Sequence, residues 1–302
     1  MKYSIYKLEF QTGVHFGTGM LNESTYIFQA DQMFSALYIE ALKLHLEQKL
    51  YEAVKKNKLR ISDALPYVGR HYMVPKPMIY IEPKDRGESE QKKAYKKLKI
   101  LPIEKLGEYL DGVMDLADNP MNKFGQYYQQ TMSFVRNEED TLPFRVGTFY
   151  FNRGNGLYLI VGYASRDEKE LVEGLLDALS YTGIGGKKSA GLGKYSLKTG
   201  RMPEEFREFL GKTSDRYLLL SGALPTDAEL EKVLQGASYQ LQKRSGYVGS
   251  DSYADEWRRK KDLYVFESGS CFMCQFDGDI YDVSDGGNHP VYRYAKPLFM
   301  GV

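Results

Sequence analysis

The chain has 302 residues, 42% of them hydrophobic and 27% charged, with a formal net charge of +1 at pH 7. That length favours two domains with ample core, and near-neutrality means that any nucleic-acid surface must be a local basic patch. The two cysteines, Cys271 and Cys274, form a single C-x2-C without the second ligand pair of a structural zinc site, and no apolar run is long enough to span a bilayer. They sit in a strand-like run, Cys271-Phe272-Met273-Cys274, and read as core thiols of a reducing compartment. The opening Met1-Lys2-Tyr3-Ser4 carries no apolar signal core, so a cytoplasmic protein without membrane contact is expected.

Residues Tyr3–Phe10 alternate, with Tyr6, Leu8 and Phe10 on one face, which predicts a half-buried strand. A glycine turn follows, Gly13-Val14-His15-Phe16-Gly17-Thr18-Gly19, and Asp31 is placed to N-cap a helix. That helix carries Phe34, Leu37, Tyr38, Ala41 and Leu42 at core-facing spacing. From about Lys55 to Pro143 prolines and a lysine-rich stretch (Lys84–Lys105) break the pattern, which reads as a long, partly irregular insertion. The run Lys92–Lys99 fits a solvated helix face better than an RNA site.

Phe144–Phe151 and Gly156–Tyr163 read as strands joined in a hairpin by Asn152-Arg153-Gly154-Asn155. Asp167, with Glu170 three residues on, starts a second helix striped by Leu171, Val172, Leu175, Leu176 and Leu179. A strand over Lys194–Thr199 closes a β-α-(insertion)-β-β-α-β order, a ferredoxin-like domain of RRM type. Beyond Pro203, the strand-like segments 216–223, 239–243, 262–267, 271–276 and 280–283, with a capping box at Thr226–Glu229, fit a degenerate second copy. The expected division is 1–202, with an insertion at about 55–143 and a glycine-rich loop at 183–193, and 203–302.

That loop, with Tyr195 closing it, is the densest chemical signal. Gly183, Gly185, Gly186, Gly191 and Gly193 alternate with Lys187, Lys188, Ser189 and Lys194, with no acid between Gly183 and Tyr195. Glycines let successive N–H groups line an anion nest, and lysines add charge suited to phosphate. It is no Walker loop, since Lys188 follows Gly186-Lys187 where Ser or Thr is needed. A dinucleotide loop runs from strand to helix, whereas this one runs from helix to strand. A plain flexible connection is the competing reading. Gln242-Lys243-Arg244-Ser245-Gly246-Tyr247 repeats the theme of cation, glycine and aromatic, and Tyr195 and Tyr247 could stack on bases. Arg136 and Arg145 could add phosphate contacts from the insertion and its edge.

The four histidines show no metal-site spacing. His45 reads as a helix-packing residue. His15, in the first glycine turn, suits either RNA contact or plain turn structure, with acid–base catalysis a weaker fit. No triad or carboxylate pair is visible, and no metal or cofactor is implied.

Taken together, the His15-Phe16-Gly17 turn, Ala30–Leu37, Gly183–Gly193, Lys243–Val248 and His289–Pro297 resemble the RAMP superfamily of CRISPR proteins. Within it they resemble the subunit family that caps the crRNA 5′ end in type III-A Csm effectors, over nearly the whole length. The resemblance implies two ferredoxin-like modules and a non-catalytic subunit that grips the crRNA 5′ handle. It also implies docking to the large subunit with a cyclase-like palm domain and to the adjacent backbone RAMP subunit. The implied handle contacts are His15, Arg136, the loop residues above through Lys194 and Tyr195, and Lys243, Arg244, Ser245, Gly246 and Tyr247. Two other classes compete: a RAMP endoribonuclease processing crRNA precursors with His15 as acid or base, and a sensor of a small phosphate ligand.

Overall fold

The structure is a computed structural model that describes residues 1–81, 93, 95–115, 119–133, 142–250 and 252–302. Strand β1 (Lys2–Phe10) is an inner strand of the main antiparallel sheet, one position in from its edge. One edge of β1 pairs with β8 (Asn155–Tyr163), in register Ile5↔Ile160, and the other with β9 (Tyr195–Gly200), in register Leu8↔Leu197. Beyond β8 stand β2 (Leu59–Ile61) and β3 (Leu65–Val68), followed by β4 (His71–Pro75) and β5 (Ile100–Pro102). Part of the stretch expected as insertion is therefore integral to this sheet.

Both faces of the sheet are covered. Tyr6, Leu8, Leu157, Leu159 and Val161 pack beneath helices α1 (Ala30–Lys43), α2 (Glu47–Lys55) and, after β8, the helix Arg166–Thr182. Ile5, Tyr158 and Ile160 face the other way, onto Phe206, Leu218 and Leu298. β8 is consequently buried along nearly its whole length, the run Leu157–Val161 being apolar without alternation. β1, expected to be half-buried, is likewise packed on both sides.

Helix ends differ from expectation in a consistent way. Asp31 lies in the first turn of α1, whose N-cap is Gln29. The Gln29 N–H donates to Gln32 Oε1 (3.0 Å), and the Ala30 N–H to the buried Asp63 carboxylate (2.8 Å). Helix Arg166–Thr182 is capped by Ser165, not Asp167: Ser165 Oγ accepts from the Asp167 N–H and Glu168 reaches back to the Ser165 N–H. Two orphan donors are thereby satisfied reciprocally.

The largest departure is the hairpin at residues 152–155. The turn forms, with Gly154 at φ 85° and the Asn155 N–H donating to the Asn152 carbonyl. The strand before it, β7 (Pro143–Phe151), pairs instead with β6 (Gly125–Ser133) in a separate two-stranded ribbon, Tyr128↔Thr148. The turn passes the chain between sheets. A short helix, α3 (Leu106–Leu110), lies between β5 and β6, and Arg166–Thr182 is α4.

After β9 the chain runs through α5 (Glu204–Phe209), β10 (Tyr217–Leu219), α6 (Asp227–Leu234), β11 (Leu241–Arg244), β12 (Leu263–Phe266), β13 (Cys271–Phe272), β14 (Asp279–Asp282), β15 (Tyr292–Ala295) and β16 (Phe299–Gly301). These strands are laid out as β13-β10-β16, β11-β12 and β14-β15, not as one four-stranded sheet like that expected of a second copy. The segment is fastened to the first sheet by buried polar contacts: the Asp63 N–H donates to the Leu220 carbonyl, and Ile61 N–H to the Tyr294 hydroxyl (2.9 Å). Tyr294 also packs on Phe34 of α1, ring centroids 5.6 Å apart. Cys271 is a buried core residue whose thiol is pushed up to about 11 by burial; Cys274 is half-buried. No helix among the described residues is long and apolar enough to cross a membrane.

Candidate nucleic-acid interface

The glycine turn after β1, the glycine-rich loop after α4, the N-terminal half of α1 and the end of β11 converge on one cleft of about 330 Å³. His15, Gly185, Gly186, Lys188 and residues 244–247 line it, so sequence signals from His15 to Tyr247 meet in space. An adjoining recess of about 470 Å³ is lined by Gly17, Gln242, Lys243 and the carboxyls of Asp63 and Glu267.

Close backbone approach explains the glycines. The Gly186 N–H donates to the His15 carbonyl (2.8 Å), and a Cβ on Gly186 would stand 2.7 Å from His15 Cδ2. Gly185 has φ 88°, and its Cβ would meet the His15 carbonyl oxygen and the Phe16 ring at 2.7 Å. Gly183 and Gly193 close the loop base: Ile184 N–H donates to the Gly193 carbonyl (3.0 Å), and Gly193 N–H to the Gly13 carbonyl (2.9 Å). Among the described residues, the N–H groups of Gly185, Lys187, Lys188 and Ser189 enter no hydrogen bond, the last three being consecutive. Such a run of open donors is what an anion nest requires.

His15 is buried, and its Nδ1 lies 2.7 Å from the Gly147 carbonyl oxygen. Because a carbonyl only accepts, Nδ1 carries the proton, which leaves Nε2 of the neutral ring as an acceptor on the side of Gly17 and Gly186.

At the opposite wall Asp31 accepts from Arg244 through both oxygens (3.0 and 2.7 Å) and from Arg293 Nη1. The Asp31 and Arg293 side chains are almost wholly buried, and Arg293 Nε has no hydrogen-bond partner among the described residues. Lys260 stands beside them, and its ammonium enters no hydrogen bond or ion pair among the described residues. Burial holds its ammonium below the usual lysine range, and the Arg293 and Arg244 charges push the same way, against Asp31. One carboxylate thus faces three cations on this wall, and Lys188 adds a fourth from the glycine loop. Desolvated cations short of counter-charge are costly, and an anion in the cleft offsets that cost.

Not every expected residue joins the cleft. Lys187 is held in the left-handed region (φ 57°) with its Nζ 4.9 Å above the Phe144 ring, at the foot of the β6–β7 ribbon. Ser189 is exposed and Gly191 half-buried on the outer turn of the loop, outside the cleft, and Lys194 is exposed where its N–H donates to Thr12 Oγ1. Lys243 pairs with Asp262 at 2.7 Å. Lys198, on β9, pairs with Glu9 on the neighbouring strand at 2.6 Å. Arg145 is exposed on β7. Tyr195 is not a stacking residue: it is buried, and its hydroxyl donates to the Leu176 carbonyl (2.8 Å), which ties β9 to α4. Arg136 and residues 84–92 of the lysine-rich stretch lie outside the described residues.

Lys260, Arg293 and the ionic role of Asp31 were missed by sequence reasoning. The available signal was Arg258-Arg259-Lys260-Lys261, four consecutive cations in a chain of near-zero charge.

Comparison with known proteins narrows what such a cleft belongs to. The chain is 40% identical over 305 residues to the CRISPR system Cms protein Csm4 of Mycobacterium tuberculosis strain H37Rv, covering 100% of this chain and 98% of the relative. The chain belongs to the Csm4 family. A Streptococcus thermophilus Csm4 is 34% identical over 308 residues, with 99% and 98% covered, and the family model for the CRISPR Csm4 C-terminal domain matches residues 212–302. The Csm4 fold is also seen in a chain of the crystal structure of the Csm3-Csm4 subcomplex in the type III-A CRISPR-Cas interference complex. That chain superposes with a TM-score of 0.68 at 18% identity, covering 100% of this chain and 99% of the other. A chain of the Csm1-Csm4 cassette in complex with AMPPNP gives 0.61, also at 18% identity, over 100% and 98%.

Proposed function

We propose that this chain is a non-catalytic RNA-binding subunit of a type III-A CRISPR interference complex that holds the 5′ handle of the crRNA. It bridges the large cyclase-type subunit to the adjacent backbone RAMP subunit. The observation that carries the reading is the convergence of the Gly185 and Lys188 amides, the Lys188 and Lys260 side chains and the buried acceptor face of His15 on one cleft. A phosphodiester fits the amides and ammonium groups, while a base edge or 2′-hydroxyl donor fits His15 Nε2. Family membership and the assemblies in which the similar solved chains occur, Csm3-Csm4 and Csm1-Csm4, support the bridging role.

The main sheet supports a ferredoxin-like first module. Read as β9-β1-β8-β2/β3 with α1 and α4 on one face, it has the strand order of a split βαβ fold. The division into 1–202 and 203–302 is supported by the family match over 212–302.

The non-catalytic reading rests on the state of the cleft's acid–base groups. Asp31 is neutralised by two arginines, and His15 has one nitrogen committed to a backbone carbonyl. Lys260 is a proton carrier that the fold brings into the cleft with His15, so incubation with precursor RNA is the decisive control. Tagged protein purified from its own cell should bring down short RNAs sharing one repeat-derived 5′ end, together with a large subunit and RAMP partners. It should leave precursor RNA uncut. Cleavage abolished by His15→Ala would establish the endoribonuclease instead, and recovery of protein without RNA would overturn handle binding.

A further inference from the structure

We propose that Trp257 and Tyr247, flanked by Arg258 and Arg259, form a stacking platform for one unpaired RNA base at the outer edge of the cleft. The inference rests on the RNA-binding reading above and extends the contact surface beyond the glycine loop and His15. Residues 246–248 and 258–260 continue the β11–β12 ribbon: Lys260 N–H donates to the Gly246 carbonyl (2.8 Å), and Val248 N–H to the Arg258 carbonyl (2.9 Å), with Tyr247 bridged to Arg259. This short ribbon carries the segment Trp257-Arg258-Arg259-Lys260-Lys261 past the mouth of the cleft. Lys260 lines the cleft, while Arg258, Arg259 and Lys261 are exposed and lie in no ion pair among the described residues.

The aromatic pair sits at the same place. Trp257 exposes 85% of its surface and Tyr247 54%, a large apolar area for two neighbouring side chains to leave in water. Their ring centroids are 6.0 Å apart at an interplanar angle of 67°, an edge-to-face contact that leaves most of the indole surface open to solvent. The Arg259 guanidinium lies 5.9 Å from the Tyr247 ring centroid and fixes that ring from its own strand. Open aromatic faces interleaved with free cations, on a track continuous with a cationic cleft, match the chemistry of single-strand binding. The cations follow phosphates, and the indole stacks on a base whatever its identity. A protein partner would find the same apolar area, but Arg258, Arg259 and Lys261 would then need three matching acids.

Trp257 is the only tryptophan of the chain, so its fluorescence reads this site alone. The full chain is titrated with a dye-labelled single-stranded RNA, with anisotropy reporting binding and indole emission reporting the platform. Saturable quenching that tracks the anisotropy is expected. Trp257→Ala should weaken binding by roughly tenfold with the salt dependence unchanged, and Trp257→Phe should retain most of the affinity. The double change Arg258→Ala and Arg259→Ala should instead flatten the salt slope by roughly 1.4 if both residues contact phosphates. RNA binding with unchanged emission and wild-type affinity in Trp257→Ala would overturn the platform and leave the cleft reading intact. Loss of a protein partner in Trp257→Ala with RNA affinity unchanged would assign the patch to that partner and likewise overturn it. If the wild-type chain binds no RNA, the cleft reading and the platform fall together.

Discussion

Asp31 and Arg293, 262 positions apart in the chain, are joined in a nearly dry ion pair, with Arg244 on the other carboxylate oxygen at 2.7 Å. The pair clamps the first turn of α1 to β15 and fixes the wall of the cleft that carries Lys260 and residues 244–247. Removing one partner leaves an uncompensated buried charge, which costs far more than the pair itself contributes. Asp31→Ala should therefore destabilise the chain by about 3–5 kcal/mol in urea unfolding. The double change Asp31→Ala and Arg293→Met should lose less than the sum of the single changes, because the charge left unpaired is then removed. Strict additivity would mean that the two groups are not coupled.

The glycines of the loop should separate by what their backbone touches. A Cβ on Gly193 would stand 2.0 Å from the Ile184 carbonyl oxygen at φ 79°, so Gly193→Ala should disrupt the loop and lower the melting temperature. Gly186→Ala should leave the melting temperature close to wild type while displacing His15, and so reduce RNA affinity. Gly191, with open space around its Cβ position, should cost only about 1 kcal/mol of left-handed strain as Ala and bind nearly normally. Equal loss of binding in all three would mean that loop rigidity, not the His15 contact, sets affinity.

The two neighbouring lysines should also separate. Lys188 lines the cleft, whereas the Lys187 ammonium sits over Phe144. Lys188→Ala should flatten the slope of log affinity against log salt by about 0.7, the value for one phosphate contact on a single strand. Lys187→Ala should change the slope by much less. Fluorescence anisotropy across a salt series measures both, and equal slopes for the two variants would place both lysines on phosphate.

These distinctions lie beyond what the sequence shows. Local signals are legible: the stripe Leu171–Leu179 is buried on α4, and the glycine motif lies between that helix and β9. What failed was pairing across distance. Asn152–Asn155 specifies a turn, but which strand Phe144–Phe151 joins is decided by β6, which pairs with it over nine residues. Composition points to an RNA contact at Tyr195, whereas its place opposite Phe10 in the β1–β9 register puts it in the core. Lys260 and Arg293 gain meaning only because the C-terminal segment folds back on α1, a contact without local periodicity.

Asp63 gives the clearest pH test. It is fully buried, and burial pushes its carboxyl up to about 6, against the opposing effect of the Ala30 N–H, the Ser268 hydroxyl and the Gly222 N–H. The nearby Asp31 charge adds to the rise. Because the folded value lies above the unfolded one, the neutral acid favours folding. That contribution is complete below the unfolded value near 3.8 and is lost as pH rises through about 6. A rise of about two units corresponds to about 3 kcal/mol. Asp63→Asn keeps an oxygen able to accept from both backbone N–H groups at Oδ1 and cannot ionise. The stability of Asp63→Asn minus that of the native chain should therefore grow between pH 4 and pH 7 by up to about 3 kcal/mol in urea unfolding. A constant difference would show that Asp63 keeps its ordinary ionisation in the folded chain, with its charge met by the two N–H donors and Ser268.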